Sequence, residues 1–266
     1  MSNARQPARH DALRLYGELA WLWPLWGDHE TEYADYCRHV ARLLREHAQR
    51  PVESLLVSSC GGGKNVFNLE QEFEVTGLDI SPAMLGLARK LNPACEFVQA
   101  DMRDFALEQR FDAVFIDDGV SHLLSRNDLA AAFRAAYRHL RPGGVMLVTP
   151  DVTRETFRQN RTSVEYAGGS AKPANIEVVF VENLFDPDPD DEHFEATYVY
   201  LVREKGRLRI ETDGCRLGLF SVDTWRACLQ EVGFQVREAH YRQGEEDYLN
   251  FIGTVAPDAG SRPPHQ

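Results

Sequence analysis

The residues of this chain best placed to do chemistry sit where short apolar runs end. Leu55-Leu56-Val57-Ser58-Ser59-Cys60 breaks into Gly61-Gly62-Gly63 and then into a helical pattern, which reads as strand, tight turn and helix start. Gly61 and Gly63 let a ligand approach the backbone, and the amides opening the next helix attract an anionic group. Asp79 closes the second run, sixteen residues after Gly63, where a carboxylate can accept from both hydroxyls of a ribose. Asp101 follows the third run with Met102 behind it, an acid and an apolar side chain suited to flank an adenine. Asp117 ends the fourth and opens Asp117-Asp118-Gly119-Val120-Ser121-His122, a loop that brings a histidine to the same strand ends. One acid at a strand end, or one loop histidine, is ordinary solvated polarity. Acids at consecutive strand ends point instead to a nucleotide-like cofactor.

Such side chains need a scaffold that gathers strand ends. Glu53 to Ser59, Glu74 to Asp79, Cys95 to Ala100, Asp112 to Asp117 and Val145 to Pro150 read as strands between helical runs, which predicts a parallel, doubly wound α/β sheet with helices on both faces. Ser81 with Pro82, and Ser125 with Asp128, are helix starts. The stripe Leu129, Phe133, Ala136, Tyr137 and Leu140 runs into a turn at Arg141-Pro142-Gly143-Gly144. Ahead of the sheet, Asp11 to Trp26 forms an aromatic, helix-like segment broken at Pro24. It reads equally as a lid over a pocket and as an amphipathic helix packed on the sheet. Tyr16 in this segment is the phenol placed to meet cofactor or substrate. A second helix covers Glu32 to His47.

After Pro150 the pattern becomes β-type. Glu177 to Phe185, His193 to Arg203 and Arg207 to Leu219 alternate with period two and predict an inserted antiparallel sheet, with Asp186 to Asp191 as an exposed turn. Ser221 caps a last helix closed by Gly233, and Gln235 to Tyr241 and Tyr248 to Val255 supply two final strands. The expected organisation is a helical lid over 1–50, a core over 51–160 and 220–256, an inserted β cover over 161–219 and a frayed tail over 257–266.

At 266 residues and 43% hydrophobic, the chain can bury a substantial core. A formal charge of -12 and pI near 5.2 argue against a nucleic-acid partner. Five scattered cysteines without C-x-x-C spacing fit a reducing compartment and no zinc site. No signal peptide or membrane-length apolar run is seen, so the expectation is a cytoplasmic protein without a membrane partner, monomeric or homodimeric. A dinucleotide fingerprint from Gly61 needs a small residue where Val66 stands, which weakens a nicotinamide reading.

Gly61-Gly62-Gly63, Val75 to Leu85, Gln99 to Phe105, Phe111-Asp112-Ala113-Val114 and Leu140 to Gly144 together resemble the class I S-adenosylmethionine-dependent methyltransferases, in order and spacing from about Glu53 to Pro150. With its β insert, the chain looks most like the small-molecule branch of glycine N-methyltransferases and amino-sugar N,N-dimethyltransferases. The resemblance implies a seven-stranded Rossmann-like sheet and methyl transfer to a nitrogen or oxygen of a small acceptor, with S-adenosylhomocysteine as product. It also implies Gly61, Gly63 and Ser59 at the methionine end of the cofactor, Asp79 at the ribose, Ile80, Asp101 and Met102 around the adenine, and Asp117 near the amino group and sulfonium. Tyr16 would meet the cofactor or substrate amine, and with His122 it would serve catalysis. The family pattern carries an acid where Val57 stands and a glycine where Ser59 stands. That departure motivates the alternative of a non-catalytic or non-methylating protein that binds the same cofactor. Cys60 is expected to pack rather than attack.

Overall fold

The computed structural model describes residues 13–166, 175–244 and 246–257. The N-terminal segment forms two short 3-10 turns, Arg14–Tyr16 and Ala20–Leu25, in place of the expected helix. Pro24 lies in the second turn, where its ring and missing amide are incompatible with a continuing α-helix. There follow α1 (Ala34–His47), β1 (Ser54–Ser58), α2 (Lys64–Leu69), β2 (Glu74–Asp79), α3 (Pro82–Leu91), β3 (Glu96–Gln99), β4 (Phe111–Ile116), α4 (Arg126–His139) and β5 (Leu140–Val148). Then come β6 (Arg161–Tyr166), β7 (Ile176–Phe185), β8 (His193–Glu204), β9 (Arg207–Gly218), α5 (Val222–Val232), β10 (Gln235–Gln243) and β11 (Glu246–Thr254).

The main sheet has the order β10-β11-β5-β4-β1-β2-β3. Its five central and edge strands β3, β2, β1, β4 and β5 run parallel, while β11 pairs antiparallel with both β5 and β10. β1 and β4 are buried along their whole length, as strands covered on both faces must be. α1 presents Cys37, Val40, Leu43 and Leu44 to the same cluster as Leu55, Val57 and Phe115. It is thus a layer of the core, although the sequence reading grouped it with the lid. The expected turn at Arg141 to Gly144 lies inside β5, as an irregularity of register against β4 between Phe111 and Ala113. Gly143 takes φ 76° there, a conformation that glycine adopts at little cost.

A second sheet, β6-β7-β8-β9, is antiparallel throughout. Three of its strands match the expected alternation; β6 was missed because Arg161-Thr162-Ser163-Val164-Glu165-Tyr166 is an almost wholly exposed strand with no apolar face to betray it. The inner face of this sheet buries Val178, Phe180, Tyr200 and Leu217 against Leu15, Leu19, Leu22 and Leu25 of the N-terminal turns. Residues 13–27 are therefore a strap between the two sheets. Among the described residues no helix is long and apolar enough to cross a membrane. The sequence expectations for 1–12 and for 258–266 fall outside the described residues.

Candidate functional site

In the main sheet the chain proceeds outward from β1 through β2 to β3 and returns on the other side as β4, so the β1 and β4 ends mark the switch point. The loop after β1 is shaped for close approach: Ser59, Gly61 and Gly63 all take positive φ, at 57°, 53° and 85°. Ser59 is the residue that tolerates this conformation least, and its hydroxyl donates to the Ser58 carbonyl at 2.5 Å. Gly119, from the loop after β4, packs directly on it; a Cβ at Gly119 would lie 2.4 Å from Ser59 Oγ. Cys60 is buried and its thiol is pushed up by desolvation, then by the Asp79 carboxylate, in keeping with a packing role.

Asp79 ties the loop to β2. Its carboxylate accepts from Gly61 N and Ser81 N, each at 2.8 Å, leaving lone pairs on both oxygens. Burial raises its pKa, while the backbone amides of Ser81, Gly61 and Ile80 oppose the rise. Beside it Ile80 is 63% exposed, an apolar plate next to the acid. Asp101 does not present a bare carboxylate: Arg103 binds it through Nε at 3.0 and 3.1 Å and Nη2 at 2.6 Å, and this guanidinium holds its pKa down. Met102 packs partly buried against the core.

Asp117 is held more firmly than the sequence suggested. Tyr36 donates to Oδ1 at 2.7 Å, Thr149 Oγ1 to the same oxygen at 2.7 Å, and Asn65 Nδ2 to Oδ2 at 2.6 Å. One acid thus joins α1, α2, β4 and β5. Val57 pairs in register with Phe115, and Asp117 stands two residues beyond Phe115 on the same face of β4. An acid is therefore present one pleat from the position where the methyltransferase pattern has its own.

The strap closes the site. Tyr16 Oη lies 3.3 Å from His122 Nε2, so residues 106 apart in sequence meet at the end of β4. Burial raises the Tyr16 pKa well above its ordinary value and lowers that of His122 to about 4. Both are neutral near pH 7. Trp23 rests on the glycine loop, so close that a Cβ at Gly62 would lie 2.3 Å from the indole, and Trp23 Nε1 is buried without a partner. Around this point desolvation raises the pKa of Asp118, Asp151 and Glu182; Asp117 adds to the rise at Asp118, Asp118 and Asp117 add to that at Asp151, and Tyr198 and Arg161 oppose it at Glu182. Ser121 Oγ donates to Asp118 at 3.0 Å.

The structure thus brings Ser59, Gly61, Gly63, Asp79, Ile80, Asp117, His122 and Tyr16 to one end of the sheet and leaves Asp101 committed to Arg103. The sequence reading missed Lys64, Tyr36, Asn65, Thr149, Asp151 and Glu182. Lys64 and Asn65 were in view next to the glycines, while the others come from elements whose approach no local pattern announces.

S-adenosylmethionine fits this donor set: a glycine cradle whose Gly62 admits no Cβ beneath Trp23, an orphaned indole donor, and a strand-end acid with free lone pairs. Sheet order, glycine loop and strand-end acid define a Rossmann-like enzyme built around a nucleotide-derived cofactor. A methyltransferase-domain family matches residues 56–144. The dTDP-3-amino-3,6-dideoxy-alpha-D-glucopyranose N,N-dimethyltransferase of Streptomyces fradiae is 30% identical over 225 residues, covering 83% of this chain and 85% of that protein. Among solved structures, Streptomyces venezuelae DesVI matches with TM-score 0.75 at 27% identity, over 90% of this chain and 96% of that one. The sugar N-methyltransferase KedS8 from Streptoalloteichus gives TM-score 0.75 at 25% identity, over 96% and 99%. The chain belongs to the class I S-adenosylmethionine-dependent methyltransferases, in the amino-sugar N,N-dimethyltransferase branch.

Proposed function

We propose that this enzyme methylates the amine of a small amino sugar, and that Tyr16 and His122 position that amine. The observation that carries the reading is the Tyr16–His122 pair, set at the end of β4 near the carboxyl of Asp118, which in turn lies near Asp151 and Glu182. An acidic surround attracts an ammonium group and suits a hydroxyl-rich acceptor. The Streptomyces fradiae relative is named for a nucleotide-linked amino sugar, which supports the same class here.

Bound S-adenosylmethionine supplies a sulfonium-activated methyl group. Gly61, Gly63 and Ser59 would hold its aminoacyl end, Asp79 its ribose hydroxyls, and Ile80, Met102 and the outer lone pairs of Asp101 its adenine, with Asp117 nearby. With Nε2–H donating to the Tyr16 oxygen, which fixes the imidazole orientation, the Nδ1 of neutral His122 would be left to accept an N–H from the amine. Neutral Tyr16 can donate but holds no charge to repel a carboxylate. The strap and the inserted sheet exclude water from the reacting nitrogen.

The test is incubation of the purified enzyme with methyl-labelled cofactor and a panel of free and nucleotide-linked amino sugars, followed by mass spectrometry. N-methylated product is expected. S-adenosylhomocysteine binding without product from any amine would favour the non-methylating alternative, and an O-methyl product would overturn the amine assignment. Because burial holds the His122 pKa at about 4, the imidazole accepts a hydrogen bond from the neutral amine without taking up the ammonium proton, so His122→Ala is expected to lower turnover by a similar factor across neutral and alkaline pH; unchanged turnover would remove His122 as the group that positions the amine.

A further inference from the structure

Lys64 is the first residue of α2 and is only 5% exposed, at the helix end where a positive charge is least favoured. Its Nζ donates to the carbonyls of Trp23 at 3.0 Å and Gly27 at 3.2 Å, and to that of Trp26. It lies over the rings of Trp23 and Tyr33, 5.2 and 5.5 Å from their centroids. Glu32 and Asp28 from the turn before α1, and Glu165 from β6, face it and favour its charge, while burial draws its pKa down to about 8. An apolar side chain would fill this space without the cost of burying a cation.

What the ammonium grips is the strap, and the strap carries much of the site. It sets the Trp23 indole on Gly61 and Gly62. Tyr16, at its start, accepts from Ser81 Oγ through its carbonyl and meets His122 through its phenol. Trp26, at its end, stacks on Phe180 at 4.8 Å and donates to Glu165 of the insert.

We propose that Lys64 latches residues 13–27 over the glycine loop and so sets the rate at which cofactor enters and leaves. The inference rests on the reading that this loop holds S-adenosylmethionine. Because the strap covers the loop, entry and exit both require it to lift, and lifting its 23–27 end breaks the three bonds to Nζ together. Lys64 is in this sense a positioning residue, acting through Trp23 and Tyr16.

The experiment is stopped-flow binding of S-adenosylhomocysteine followed by tryptophan fluorescence, with Lys64→Met and Lys64→Arg beside the unmodified enzyme. In Lys64→Met the association and dissociation rates are expected to rise together by about tenfold, the equivalent of losing one charge-assisted hydrogen bond, with the Kd nearly unchanged. Lys64→Arg keeps the charge, but its planar fork cannot bring three carbonyls onto one nitrogen, and it should fall between the two. Unchanged rates in both variants would overturn the latch. So would a weaker Kd arising from dissociation alone, because Lys64 would then be contacting the cofactor directly. Should Lys64→Met not fold, amide hydrogen exchange across 13–27 in Lys64→Arg decides: faster exchange than in the unmodified enzyme supports the latch, and equal exchange refutes it. Failure of the unmodified enzyme to bind S-adenosylhomocysteine would instead remove the cofactor reading itself, and the latch with it.

Discussion

Val57→Asp would restore the acid that the methyltransferase pattern carries at this position, and the structure says that the restoration should do harm. Val57 is 1% exposed, on a central strand between Gly77 and Phe115, in the cluster that holds Leu55, Cys60, Ala88 and Phe97. Removing its buried apolar surface forfeits about 2 kcal/mol. The incoming carboxyl finds the neighbouring donors Tyr36, Thr149 and Asn65 already bonded to Asp117. An unsatisfied buried polar group adds about 1–3 kcal/mol, for a total of about 3–5 kcal/mol out of the 5–15 kcal/mol typical of a whole domain. Burial and the Asp117 carboxylate would both raise the new group's pKa, so the folded state would keep a proton that the unfolded chain releases. The loss of stability therefore grows as pH rises above the ordinary carboxylate value. The assay is the denaturant midpoint at about pH 5 and about pH 8, with the slope checked for constancy, beside a titration with S-adenosylhomocysteine. Val57→Thr keeps the shape and isolates the polar contribution, at about 1–2 kcal/mol. A Val57→Asp protein as stable as its parent that also binds the cofactor product more tightly would refute this reasoning and make the family acid a real omission.

Four further outcomes follow from the same geometry. Gly119→Ala should cost about 1–3 kcal/mol because its Cβ meets the Ser59 side chain, and Ser59→Gly should recover most of it; a double variant no more stable than Gly119→Ala alone would show that the contact is not the cause. His122 is held neutral by burial down to about pH 4, whereas the unfolded chain takes up the proton near 6.5. Stability is thus full above about pH 6.5 and declines by about 3 kcal/mol as pH falls towards 4, a slope that His122→Ala should abolish in midpoint measurements. Asp118 works in the opposite sense: burial and Asp117 raise its pKa, so its contribution weakens as pH rises above the ordinary carboxylate range, and Asp118→Asn should gain on its parent at alkaline pH in the same assay. Tyr16→Phe leaves the ring packing but removes the partner of His122 Nε2. Turnover should fall about tenfold with little change in cofactor affinity, and a loss confined to affinity would place the phenol on the cofactor instead.

The sequence by itself determined the sheet and one end of the site. Alternating apolar and helical runs, helix caps at Ser81, Ser125 and Ser221, and glycines before α2 are local signals, written within a few residues of where they act. Asp79 and Asp117 were legible for the same reason, since each ends its own strand. The tertiary structure decided what no local pattern encodes. The break at Pro24 was in view, but the two 3-10 turns packed between the sheets were not, and an exposed β6 carried no periodicity to read. Asp101 proved to be bound by Arg103, only two residues away, because their side chains converge in a turn whose shape the strand pattern leaves open. Tyr36, Asn65 and Thr149 reach Asp117 from three elements, Lys64 reaches three carbonyls of the strap, and Tyr16 reaches His122 across the site. Such contacts depend on how finished layers dock, and a hydrogen bond between elements has a direction and a length that sequence spacing does not hold.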